Sequence, residues 1–309
     1  MTTVTEPPVA TRLRALGLFS GADIAADPTP VMASPSWWGA DSEGFDVHAG
    51  DERAFVKAMA PHAGAYVDIT QAFAAATEAG ECGVGPRVYA ADAAESLLVQ
   101  EFVDGHTATL NVFDDDARLA DLIALRARVH GFTSITRRAT VFDDIRALSA
   151  LAAARSVALP ADFRWMCRHL DMAEKRIVAT GFDTVPAHGD GNVSNVLRTA
   201  EGGLLLVDWD VAAVMDPLQD IGALLAEVRP FDSDARVAFE MAWGSFDQAL
   251  FDRARVYGVA DCVRWGLIGA YADAARPGTL EYSKFSDWQF LRARAGLTDP
   301  HFCDRLGNL

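Results

Sequence analysis

The amino-acid sequence predicts an α+β fold of two unequal lobes: a small antiparallel β-sheet lobe with one main helix over residues 1–104, and a larger, mostly helical lobe over residues 105–309. The chain has 309 residues, half of them apolar, which exceeds what one minimal core needs and suits two packed units. Before the Asp104-Gly105 turn, short extended runs alternate with turn chemistry. Beyond it, the apolar residues switch to helical spacing. Neither an internal repeat nor a low-complexity segment interrupts this division.

Residues 1–30 read as a lead-in segment: a short helical pattern (Leu13, Leu16, Leu18), then the turn-rich run Ala26-Asp27-Pro28-Thr29-Pro30. Extended runs are predicted at Val31–Trp38, Phe45–His48 and Ala54–Met59, separated by Gly39/Asp41 and by Gly50-Asp51. An Ala-rich helix over Tyr66–Gly80 ends at its glycine, and two further strands lie within residues 83–92 and 96–105, giving the order βββαββ. Helical periodicity then marks 115–131, 142–155 and 161–179, followed after a loop-rich region by 217–228, 233–257, 260–275 and 282–295.

Acidic residues outnumber basic ones 43 to 27, for a net charge of −16, which opposes binding to nucleic acid or to anionic membranes and suits a small cationic partner. Cys82, Cys167, Cys262 and Cys303 are widely spaced with no CxxC pair, so neither a zinc site nor a disulfide framework is expected. No uncharged run is long enough to span a bilayer, and the N-terminus has no long apolar stretch; a cytoplasmic protein is the expectation.

The chemistry is concentrated in residues 185–225. His188-Gly189-Asp190 is followed by Asn195, then by a hairpin turn at Glu201-Gly202-Gly203, then by an apolar strand over 204–207 that delivers Asp208. Phosphoryl transfer needs a carboxylate to orient an acceptor hydroxyl and take its proton. It also needs hard oxygen ligands, an amide and a second carboxylate, to hold Mg²⁺ against the phosphates. A lone HGD or DWD would be ordinary turn composition, but the joint order is specific. His188 reads as a loop anchor, and Asp210, beside Asp208, reads as either a substrate contact or a solvated turn residue.

With Asp216-Pro217-Leu218-Gln219-Asp220 added, these motifs resemble the aminoglycoside phosphotransferase and choline/ethanolamine kinase superfamily, of protein-kinase-like fold. The resemblance implies an ATP- and Mg²⁺-dependent kinase with Asp190 as base and Asn195 and Asp208 as metal ligands. It makes His188, Asp216 and Asp220 structural supports. It also puts Lys57 on the nucleotide phosphates, with Ser42 in the phosphate-cradling turn and the backbone of Glu101 and Val103 on adenine. Two departures stand out. The first turn lacks GxGxxG, and the expected helix glutamate opposite Lys57 is missing, leaving Asp68, Gln71 and Glu78 as candidate partners.

The DWD motif and the aromatic C-terminal helices are closer to bacterial choline-kinase-like members. A pocket using Asp210, Glu227, Trp243, Trp265, Tyr271 and Trp288 is expected, with cation–π attraction holding a choline- or ethanolamine-like amino alcohol. A pocket dominated by Asp and Glu would instead favour an aminoglycoside or related antibiotic, and the unorthodox first turn keeps open a catalytically silent nucleotide-binding pseudokinase. Oligomeric state and the choice of ATP over GTP are not legible in the sequence.

Overall fold

The computed structural model describes residues 8–30, 41–278 and 280–309. A five-stranded antiparallel sheet comprises β1 (Ile24–Pro28), β2 (Ser42–Ala49), β3 (Glu52–Met59), β4 (Val88–Asp92) and β5 (Leu97–Glu101), in the spatial order β1-β2-β3-β5-β4. The β2–β3 hairpin turns at Gly50-Asp51, with Gly50 at φ 63, a left-handed conformation that tight hairpins require and glycine adopts without strain. One face of the sheet carries Val47, Val56, Leu97 and Val99 against Val9 and Leu13 of helix α1 (Pro8–Ala15). The other face, through Met59 and Leu98, joins helix α2 (Ile69–Glu81) and the core of the helical region.

The order βββαββ is present, but its first described strand is 24–28, where the sequence suggests a turn-rich lead-in. Pro28 misleads: β1 is an edge strand, where a missing backbone N–H costs no ladder hydrogen bond. The strand expected at Val31–Trp38 lies outside the described residues.

Beyond the sheet, β6 (Gly105–Thr107) pairs with β8 (Val196–Thr199), which pairs with β9 (Leu204–Leu206), while β7 (Val185–Ala187) pairs with β10 (Ala213–Met215). Around these small sheets pack α3 (Asp116–Arg128), α4 (Val141–Ala154), α5 (Phe163–Thr180), α6 (Pro217–Val228), α7 (Asp232–Trp243), α8 (Gln248–Ala275), α9 (Tyr282–Thr298) and α10 (Phe302–Asn308). Local chemistry sets the ends. Thr140 and Asp143 form a reciprocal capping box on α4, and Asp216 caps α6 with Pro217 in its first turn.

The helix expected at 233–257 is broken, and the break expected before 260 is absent. Gly244, at φ 91, ends α7, and Asp247 accepts from Leu250 N–H to start α8, which continues for 28 residues. Gly258 is not a breaker because it serves a close crossing. A Cβ there would meet Gly222 O at 2.7 Å, and one on Gly222 would meet Ala254 O at 2.1 Å, so α6 and α8 approach backbone to backbone. Among the described residues no helix is long and apolar enough to cross a membrane, and the four cysteines are free.

Candidate active site

Strand β7 ends at Ala187 and delivers His188-Gly189-Asp190 into the interior. His188 is fully buried; its Nε2 donates to Val207 O at 3.0 Å, and burial, reinforced by the Arg126 charge, depresses its pKa to about 4. A neutral ring fixed this way is an anchor and carries no proton to substrate. Gly189 adopts φ 78, and a Cβ on Gly191 would lie 2.0 Å from Ala223 O, so the loop presses directly on α6.

Three buried charged side chains brace this loop. Asp220 accepts the Gly189 N–H at 2.7 Å and pairs with Arg126, which also donates to Asp190 O at 2.6 Å. Arg264 on α8 donates to Gly189 O at 2.7 Å and pairs with Asp261 and Asp144. Asp216 holds the next element, accepting Leu218 N–H at 2.9 Å and Tyr257 Oη–H at 3.0 Å.

The Asp190 carboxylate accepts from Asn192 N–H at 2.9 Å and from Asn195 Nδ2 at 2.6 Å. Burial, opposed by the Asn192 N–H and assisted by the Asp261 charge, raises its pKa to about 7, where a carboxylate can both take and return a proton. Since the Asn195 nitrogen is committed to Asp190, its carbonyl oxygen is the atom left to a ligand. Asp208 follows β9 at φ 66, in the left-handed region that non-glycine residues adopt at a cost, and its carboxylate is about one-third exposed.

Two cavities meet here. A cleft of about 420 Å³ beside the sheet is lined by Ser42, Lys57, the segment Glu101-Phe102-Val103, Asn195 and Asp208, among others. On the far side, a polar pocket is bounded by Asp41, Asp190, Glu227, Asp261 and Trp265, and again by Asn195 and Asp208. Asn195 and Asp208 are the residues common to both. The Glu101 N–H is donated to Arg87 O at 2.7 Å, so of its backbone only the carbonyl could serve a ligand in the cleft.

Lys57 is buried, and its Nζ donates to Asp208 Oδ1 and Asp210 Oδ1, both at 2.9 Å. Burial alone would lower its pKa, but the two carboxylates outweigh this and keep it firmly protonated. Burial also works against Asp208, which the Lys57 charge nonetheless holds ionised, while burial and the Asp208 charge push Asp210 upward. None of the three candidate helix partners reaches the lysine. Asp68 caps α2, accepting Gln71 N–H at 3.1 Å. Gln71 donates to Ala212 O at 2.9 Å and accepts from Thr136 N–H at 2.9 Å. Glu78 accepts from Thr133 N–H at 2.9 Å and Ser134 N–H at 2.8 Å.

Of the six residues expected around a substrate, Glu227 and Trp265 line the polar pocket. Asp210 turns instead to Lys57, and Tyr271 packs edge-on to Tyr66 at 5.8 Å. Trp243 stacks on Phe239, and both Trp243 and Trp288 are exposed at the surface away from the pocket lining. Helical spacing placed these aromatics on one protein region without saying which face of each helix meets the pocket.

The structure adds Asp41, Asp261, Phe285 and Arg292 to the lining. Asp41 accepts from Tyr66 Oη–H, and burial raises its pKa to about 6. In sequence Asp41 is only a turn residue. Asp261 and Arg264 did carry a signal, since an i,i+3 pair of opposite charges within the otherwise uncharged run 256–272 points to a buried pair.

Solved structures share this architecture. A choline/ethanolamine kinase family protein from Mesorhizobium loti superposes with a TM-score of 0.76 at 20% identity, covering 97% of each chain. LicA, the choline kinase of Streptococcus pneumoniae, in complex with AMP, gives 0.76 at 15% identity over 94% of this chain and 96% of that one. The GDP complex of an aminoglycoside 2'-phosphotransferase-IIIa mutant gives 0.64 at 13% identity over 94% and 98%. No curated protein sequence matches the chain. The profile of one family spans residues 33–259, from the sheet region through the His188-Gly189-Asp190 loop into α8, and the chain accordingly belongs to the phosphotransferase enzyme family.

Proposed function

We propose that this phosphotransferase is an ATP- and Mg²⁺-dependent kinase that phosphorylates a hydroxyl of a small cationic amino alcohol of choline or ethanolamine type. The carrying observation is that Asp190 stands in the wall of the polar pocket, while Asn195 and Asp208 border both that pocket and the cleft beside Lys57. A nucleotide in the cleft would thus present its terminal phosphate to a hydroxyl held against Asp190, the arrangement that in-line transfer requires. Solved relatives carrying AMP or GDP support a nucleotide in the cleft.

The donor set fits Mg²⁺. Asn195 Oδ1 and the Asp208 carboxylate are hard oxygens. Among the described residues no cluster of three or more His, Cys, Asp or Glu could hold a metal by itself, and Mg²⁺ commonly takes one or two protein ligands and completes its shell with phosphates and water. When bound there, Mg²⁺ would neutralise charge on the transferring phosphoryl group. Lys57 would steady the inner phosphates, Asp190 would accept the acceptor's proton, and Asn195 would keep the Asp190 carboxylate oriented through its 2.6 Å hydrogen bond.

Trp265 and Phe285 offer the acceptor two aromatic rings, while Asp41, Glu227 and Asp261 offer carboxylates. That carboxylate excess supports a second reading, an aminoglycoside acceptor with several ammonium groups. Mg²⁺-dependent ATP consumption across choline, ethanolamine and aminoglycosides decides between them. Turnover with the amino alcohols alone supports the first reading, turnover with aminoglycosides alone supports the second, and ATP binding without turnover on any acceptor indicates a silent nucleotide-binding protein. In Asp208→Ala, MgATP binding should weaken, and an unchanged Mg²⁺ dependence would remove Asp208 from the ligand set.

A further inference from the structure

We propose that Asp210 takes the place of a helix acid as the positioning residue that aims Lys57 at the nucleotide phosphates. The inference rests on the kinase reading above.

Lys57 needs a fixed carboxylate partner because a flexible four-carbon stem bearing a point charge has no preferred direction of its own. In the structure α2 supplies none. The part of α2 that shares a small cavity with Lys57 and Asp210 consists of Ala72, Phe73 and Ala76, which present no acceptor. The two candidate partners on α2 are committed elsewhere. Gln71 ties the helix to Ala212 O and to the backbone of Thr136 and Arg137, and Glu78 ties it to Thr133 and Ser134.

Asp208 also contacts Lys57, but it is the third-exposed carboxylate at the junction of the two cavities and is the one placed to hold a metal. Asp210 differs on both points. Its side chain is only 6% exposed, and it is absent from the lining of both the cleft and the polar pocket. Its Oδ1 meets Lys57 Nζ at 2.9 Å. Lying two residues after Asp208 on one turn, it links the lysine to the metal-binding turn instead of to a helix. The grip on phosphate therefore depends on that turn and not on where α2 sits.

A double-mutant cycle on MgATP binding, followed by calorimetry, tests this. Asp210→Asn, which leaves an oxygen for Lys57 but removes the carboxylate charge that holds the ammonium, should weaken MgATP about tenfold. Lys57→Ala should weaken it at least as much, and the double variant should bind no more weakly than Lys57→Ala alone, because Asp210 acts through the lysine. Unchanged affinity in Asp210→Asn, or losses that multiply in the double variant as a separate metal ligand would give, overturns the proposal. Circular dichroism checks the fold, and if Asp210→Asn does not fold, Asp210→Ser enters the same cycle with the same two outcomes. Failure of the kinase reading is separable: wild-type protein would bind MgATP but transfer phosphate to no acceptor, and the cycle would remain readable.

Discussion

Arg264 Nη2 donates to the Gly189 carbonyl across 2.7 Å, so the helix that contributes Asp261 and Trp265 to the polar pocket also fixes the His188-Gly189-Asp190 loop. The same guanidinium neutralises Asp261 and Asp144 while almost wholly buried. Removing it leaves Asp261 without its paired guanidinium, strips Asp144 of one of its two arginines and frees the loop. Arg264→Met should therefore lose about 3–5 kcal/mol of stability, measured by urea denaturation.

Asp190 must be ionised to accept a proton, and burial holds its pKa near 7. With a saturating nucleotide, kcat/KM for the acceptor should rise with pH through about 7 and level off above it. Asp190→Asn should keep nucleotide affinity within a few-fold and lower kcat by about 10²–10⁴, abolishing that rise. Steady-state kinetics across pH 5–9 provides the check.

Asp41 has a folded-state pKa of about 6, above the usual carboxylate value, because burial penalises its charge. The sign follows: the penalty is absent while Asp41 is protonated in both states, grows above about pH 4, and is complete above the folded pKa. Asp41→Asn keeps an acceptor for Tyr66 and removes the charge. It should raise stability by on the order of 2–3 kcal/mol at pH 8 and hardly at all at pH 4, as read by thermal melts at the two pH values. Equal melting temperatures at pH 8 would refute the assignment.

Trp265 lines the pocket and Trp243 does not. Trp265→Ala should raise the acceptor KM about tenfold if a desolvated ring faces the cation, whereas Trp243→Ala should leave it unchanged. Equal effects of the two substitutions would mean that the acceptor sits elsewhere.

The family motif was legible because it is written locally: His188, Gly189, Asp190, Asn195 and Asp208 lie within 21 residues, and one hairpin brings them together. The pocket was less so. Asp41 comes from the bend just before β2 and Asp261 from α8, and only long-range packing joins them. The partner of Lys57, left open in the sequence among Asp68, Gln71 and Glu78, was hidden for a related reason: Asp208 and Asp210 lie about 150 residues later in the chain. Edge strand β1 was hidden by Pro28, whose cost depends on neighbours that the sequence does not specify.

The backbone of Asp208, at φ 66, is in a conformation where a side chain is a handicap and glycine would be at ease. A chain optimised for durability alone would discard the carboxylate here. Asp208→Gly should relax the turn and relieve crowding of negative charge beside Asp210, at the cost of one of the two ion pairs of Lys57, for which Asp210 remains as a partner. Protein that endures heat better yet has lost its grip on nucleotide would show that the turn is kept taut for use at the expense of rest.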